Sequence, residues 1–141
     1  MKVSEKFYSI AVEFCNWMEN PTPFHDNETL DLIKLIIRLY QNAMCLEDVY
    51  NENDVHVNEE IDYCNLISNK LINFIFYEEQ KAILNDDLMD LYKDLKCNLI
   101  LYEKNEKNEA IWQWKFLFFQ HWGLHAISAV NILHLYLVEK T

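Results

Sequence analysis

Apolar residues recur at three- and four-residue spacing along most of this chain, the signature of helices that each bury one face. In residues 3–18 the positions Phe7, Ile10, Ala11, Phe14 and Trp17 form such a stripe, and Pro21 and Pro23 stop the helix behind it. A second helix is expected at 28–46, with Asn27 as its cap, Glu28 in its first turn and a stripe of Leu32, Leu35, Ile36, Leu39, Tyr40 and Ala43. A polar loop follows from Glu47 to Asn58, within which Val55-His56-Val57 is too short a β-like stretch to change the class. A third helix is expected near 59–77, capped by Asn58, with Ile61, Cys64, Leu71, Phe74 and Ile75 inward. A fourth is expected near 86–103, started by Asn85 or Asp86, with Leu88, Leu91, Leu95, Leu99 and Tyr102 as its stripe. After a charged connector, Glu103–Glu109, a last helix begins near Asn108 and extends to about Glu139.

This order of elements predicts an all-α fold: one compact antiparallel bundle of about five helices, spanning residues 1–141 as a single domain, with the apolar C-terminal helix near its centre. One Gly and two Pro in 141 residues supply too few turn residues for an all-β chain. With 51% apolar residues the chain has enough material for a buried core.

The last helix raises a membrane question. Phe116–Val138 contains no Asp, Glu, Lys or Arg over 23 residues, long enough to span a bilayer. Gln120, His121, His125, Ser128, Asn131 and His134 interrupt it, and their burial in lipid would be costly, so a bundle helix is the expected reading. The formal charge of -11 disfavours nucleic acid and anionic membrane as partners. Seven acids and no Lys or Arg between Glu47 and Asp62 read as a solvated acidic face. Cys15, Cys45, Cys64 and Cys97 are widely spaced, form no CxxC pair and follow no secretion signal. Buried free thiols in a reducing cytoplasm are expected.

Candidate chemistry concentrates in His121-Trp122-Gly123-Leu124-His125. On a helix, His121 and His125 project from neighbouring turns of one side. Asp90 and Asp94 are four apart on the fourth helix, with Asp87 one turn earlier. Two Asp and two His could satisfy one another as an inter-helix network or share a metal ion. The segment lacks the Glu beside the first His of the zinc-hydrolase helix, and it lacks Glu-x-x-His repeats. No resident cofactor or metal is therefore expected; Asp90, Asp94, His121 and His125 are the residues that would hold an ion. Gly123, the sole glycine, is expected to mark the close approach of another helix. Trp112, Trp114, Phe116, Phe118, Phe119 and Trp122 form an aromatic band, part of which could cover a partner or a second copy. His25, His56 and His134 read as ordinary. No phosphate loop or nucleophile motif occurs, and the reading is noncatalytic: a protein-binding or adaptor domain, with a small-ligand or metal-binding domain as the alternative.

Three segments in order, Leu88-Met89-Asp90-Leu91-Tyr92-Lys93-Asp94-Leu95, Glu109-Ala110-Ile111-Trp112-Gln113-Trp114 and His121-Trp122-Gly123-Leu124-His125, together with Ala129–His134, resemble the bacterial domain-of-unknown-function family 5063. The resemblance runs over about residues 28–138 and is strongest from Asp87 to His134. The chain departs from the family pattern at Asn131, where a basic residue is usual, and at Glu47, where a proline is usual. The resemblance implies a compact helical, cytoplasmic domain and no assigned reaction. Its motif falls on Asp90, Tyr92, Asp94, Trp112, His121, Trp122, Gly123 and His125.

Overall fold

The structure is a computed structural model that describes residues 2–49, 61–67 and 77–140. Its elements are α1 (Val3–Glu19), a 3-10 turn (Asp26–Glu28), α2 (Thr29–Met44), a single turn α3 (Tyr63–Leu66), α4 (Glu78–Glu103), α5 (Lys107–Leu117), a π turn (Phe118–Trp122) and α6 (Gly123–Lys140). Because α5, the π turn and α6 follow without a break, the described residues contain four long rods rather than about five. The expected third helix at 59–77 lies largely outside the described residues, as do Asn58, His56 and most of the acidic loop.

Four packed pairs close the bundle into a ring: α1 with α2, α2 with α6, α6 with α4, and α4 with α1. Every pair is antiparallel. Glu13 of α1 meets Arg38 of α2 while Trp17 meets Glu28. Tyr8 stacks on Tyr102 while Glu19 holds Tyr92 and Lys96. Tyr40 meets Phe118. The described buried apolar residues form one cluster inside this ring. The C-terminal rod touches all three others, reaching α1 through Phe7, whose ring lies 5.0 Å from Trp114 and 6.0 Å from Trp122. One long side of that rod still faces solvent, with Leu124 71% and Phe119 63% exposed.

Three of the boundaries that differ from the sequence reading have a local cause. α2 starts at Thr29, not 28, and Asn27 does not cap it: the Thr29 hydroxyl donates to Asp26 O, and the Glu28 carboxylate turns back to accept from His25 N and Trp17 Nε1. α4 starts at Glu78, eight residues before Asp86. Glu78-Glu79-Gln80-Lys81-Ala82 are strong helix formers without an apolar stripe, so periodicity alone is silent there, while Glu78 and Glu79 suit the positive end of the helix. The charged connector shrinks to 104–106, where Asn105 takes φ 67° and Glu106 N donates to Leu101 O, a left-handed helix stop.

The π turn explains an unusual spacing. Ala110, Trp114, Phe118, Trp122 and Ala126 are all buried and recur every fourth residue. In a pure α-helix each four-residue step overshoots a full turn by about 40°, so such a row would wind off the core face. The wider π turn at Phe118–Trp122 slows the rotation and keeps the row inward. The two inner indoles are also anchored: Trp114 Nε1 donates to Leu95 O at 3.2 Å and Trp122 Nε1 to Trp114 O at 3.1 Å.

Among the described cysteines, Cys15 is buried, Cys97 half-buried and Cys45 exposed, and none of the three is in a disulfide. Burial pushes the Cys15 thiol up to about 12. The expectation of buried thiols fails at Cys45, which lies just past the last turn of α2, where the helix leaves the core.

Candidate functional site

On α4 the polar residues Asp87, Asp90, Asp94 and Asn98 follow the three- and four-residue spacing of one face, interleaved with the core stripe. That face is turned to the π turn and α6. His121 lies in the π turn and His125 one turn on, their ring centroids 4.8 Å apart and nearly perpendicular. The result is a layered Asp–His lattice. His121 Nδ1 lies 2.7 Å from Asp94 Oδ2. His125 Nδ1 lies 2.7 Å from Asp87 Oδ1, and its Nε2 lies 3.2 Å from Asp90 Oδ2. Ser128 Oγ donates to the other oxygen of Asp87 at 2.5 Å.

Burial falls steeply across this lattice. The Asp87 side chain is 5% exposed, His125 24%, Asp90 25% and His121 44%, so the site opens from a dry floor to solvent. Desolvation holds the Asp94 carboxyl above its ordinary range, more than the His121 imidazole pulls it down. In return, the hydrogen bond to Asp94 and the fields of Asp94, Asp90 and Asp86 raise the His121 imidazole, against a lowering by burial. Further along α4, Asn98 is fully buried; its Nδ2 donates to Asp94 O, and its Oδ1 has no partner among the described residues.

Of the residues singled out from sequence, the structure thus brings together Asp90, Asp94, His121 and His125. Asp87, named there only as a possible addition, is the most buried acid of the group and binds His125 directly. Tyr92 does not belong. It lies on the other side of α4, fully buried, and its hydroxyl donates to Glu19 Oε2 at 2.8 Å, an oxygen shared with Lys96 Nζ. Two residues after Asp90 on a helix, Tyr92 is rotated about 200° away from it. Trp122 also turns from the site into the core. Gly123 is buried behind the imidazoles, and its close neighbour is not another helix, as the sequence suggested. A Cβ at 123 would meet the Phe118 carbonyl oxygen at 2.5 Å and the Phe118 ring at 3.1 Å, both belonging to the chain's own π turn. Sequence reading missed Ser128, although its position three residues after His125 placed it on the same face. His25 and His134 are exposed, as an ordinary role requires.

The Ser128 hydroxyl is not set as the nucleophile of a triad. In a nucleophilic triad the hydroxyl faces an imidazole nitrogen that takes its proton. Here the Ser128 proton points to Asp87, and His125 directs both its nitrogens to carboxylates.

Fold and site together define an all-helical, four-rod antiparallel bundle with an Asp–His lattice between the rods formed by α4 and α6. Residues 75–139 match the model of the family described as Domain of unknown function (DUF5063), which bears out the resemblance read from the sequence over that segment. A crystal structure of protein BF1032 from Bacteroides fragilis superposes with a TM-score of 0.80 at 22% identity, covering 95% of this chain and 94% of that one. At that identity the likeness is one of fold. No curated protein matches the chain. No helix among the described residues is long and apolar enough to cross a membrane.

Proposed function

We propose that this protein is a noncatalytic binding domain that docks an amphipathic, basic segment of a partner protein. The observation that carries the reading is a groove between α2 and α6 lined by Ile36, Ile37, Tyr40, Ala126, Ile127 and Val130. It is almost wholly apolar, with an accessible volume of about 150 Å³. Ile37 and Ile127 on its rim are 47% and 53% exposed. A contiguous exposed apolar surface of this kind is characteristic of a contact site, and helix-in-groove recognition fills such a surface with one or two large apolar anchors. Net charge decides the rest of the partner's chemistry. At -11 the domain attracts a basic segment and repels an acidic one.

A designed peptide tests this: a lysine-rich amphipathic helix with a leucine stripe, beside a scrambled peptide of equal composition and charge. Fluorescence anisotropy should show saturable binding of the patterned peptide alone. Ile127→Asp should weaken it at least tenfold without lowering the melting temperature by more than a few degrees. Equal binding of the scrambled peptide, or full binding by the variant, would remove the groove from the account. A wild-type dimer in light scattering that the same substitution converts to monomer would assign the groove to a second copy of the chain instead.

A further inference from the structure

We propose that His121, His125 and Asp90 form a binding site for one divalent transition-metal ion of the zinc type, with Asp94 and Asp87 as the residues that orient the two imidazoles. The site lies between α4 and α6 and is separate from the α2–α6 groove, so neither proposal depends on the other.

The argument starts from the two nitrogens of His125. Its Nδ1 is 2.7 Å from Asp87 and its Nε2 is 3.2 Å from Asp90. A neutral imidazole carries a single N–H. If that hydrogen is on Nδ1, as the shorter contact favours, Nε2 presents a lone pair directly to a carboxylate oxygen. Two lone pairs facing one another repel, and a cation between them removes the conflict. The geometry has room for one. Zinc stands about 2.0–2.1 Å from a histidine nitrogen or a carboxylate oxygen, so two ligands at the tetrahedral angle lie roughly 3.4 Å apart. The 3.2 Å separation is close to that value.

His121 supplies the third ligand. One ligand atom each from Asp90, His121 and His125 all lie within 4.8 Å of one another. The His121 side chain is the most exposed of the three and so the freest to turn toward the ion. Its Nδ1 is held by Asp94 just as that of His125 is held by Asp87. This is the arrangement in which metal-binding imidazoles are usually found: Nδ1–H donated to a carboxylate, Nε2 turned to the ion. Ser128 fixes the Asp87 carboxylate in turn.

The ligand set selects the ion. Two imidazoles and one carboxylate suit zinc, cobalt or nickel, whereas calcium and magnesium require six or more oxygens. The fourth position opens to the solvent side of the lattice and would be filled by water. Charge balance points the same way, because three carboxylates within two turns of α4 repel one another and a divalent ion offsets that repulsion.

Cobalt(II) is the probe. Untagged protein, stripped with chelator, is titrated with Co²⁺ and followed by its visible d–d absorption. The expectation is one ion per chain, a spectrum of nitrogen and oxygen ligation without a thiolate charge-transfer band, and displacement by Zn²⁺. His125→Gln should abolish saturable binding. Asp94→Asn should weaken binding about 10- to 100-fold, as loss of an orienting carboxylate does. His134→Ala should leave it unchanged. Circular dichroism and melting curves establish that each variant is folded. Should His125→Gln fail to fold, imidazole ¹⁵N shifts of the wild-type protein, with and without Zn²⁺, give the same answer. Binding with a thiolate band would move the ion to the cysteines and overturn the proposal. So would retention of binding in folded His125→Gln, Nε2 shifts that zinc does not move, or no saturable binding in the millimolar range, which would leave a proton as the cation of this lattice.

Discussion

The His121–Asp94 pair shows how a single contact carries a pH signature. The hydrogen bond to Asp94 raises the His121 imidazole above its ordinary value of 6.5. A raised histidine stabilises the fold fully below its unfolded pKa, and that contribution is lost as the pH rises through the folded value. Asp94, itself held high by burial, shifts stability in the same sense, toward acid. Half-exposed pairs contribute modestly, up to about 1 kcal/mol. In metal-free protein, Asp94→Asn should therefore destabilise most at pH 6 and progressively less toward pH 9. In the same variant the His121 titration, followed by NMR, should fall back toward 6.5. A stability difference that grows with pH would show that the pair is not an imidazolium–carboxylate contact. Tyr92 gives a second test at this scale. Tyr92→Phe removes its hydrogen bond to Glu19 while Lys96 still holds that carboxylate, so chemical denaturation should show a loss of about 1–1.5 kcal/mol. Metal affinity should be unchanged, because Tyr92 lies on the far side of α4.

Among elements, the π turn is where sequence and structure part. Periodicity located α1 to within a residue, placed the C-terminal part of α4, and put the two imidazoles on one side of the last helix. It did so because those stretches obey α spacing and the core reads that spacing directly. The amphipathic signal was absent at Glu78–Ala82, and the helix there rests on propensity and on its continuity with the buried segment from Leu84 onward. The pairing of Asp87 with His125 was not legible either, since it depends on the axial offset of two antiparallel rods. The same offset brings Trp114 Nε1 onto Leu95 O. The signal for the π turn was present all along in the four-residue recurrence of Ala110, Trp114, Phe118, Trp122 and Ala126. Gly123 belongs to the same device. Because a Cβ there would lie 2.5 Å from a backbone oxygen, Gly123→Ala should destabilise by about 1–3 kcal/mol, despite alanine's better helix propensity. Thermal unfolding measures it, and a neutral or stabilising result would mean that the π turn yields easily to a regular helix.

The whole molecule is dominated by its charge. A net charge of -11 on a small bundle repels itself, and salt screens that repulsion. The melting temperature should rise by several degrees between low salt and about 0.5 M NaCl, while binding of a basic peptide to the α2–α6 groove weakens over the same range. The two opposite salt responses separate folding from docking in one protein. A flat melting profile would mean that the acids are already offset by their own ion pairs, of which Lys115–Asp48, Lys96–Glu19 and Lys140–Asp26 are examples.

The five-residue turn at Phe118–Trp122 also constrains how the gene for this chain can change. A π turn carries one residue more than an α turn and absorbs the rotation that residue would otherwise add, so the residues before and after it keep the faces they would have in a regular helix one residue shorter. Deleting one codon elsewhere in the last rod would turn everything after it by about 100°, and either the tryptophans or the imidazoles would then face the wrong way. The same deletion within the turn would restore a regular helix without that rotation, at the loss of one of the five side chains placed there. The turn is therefore where this rod can lose a codon while the core and the Asp–His lattice stay in register.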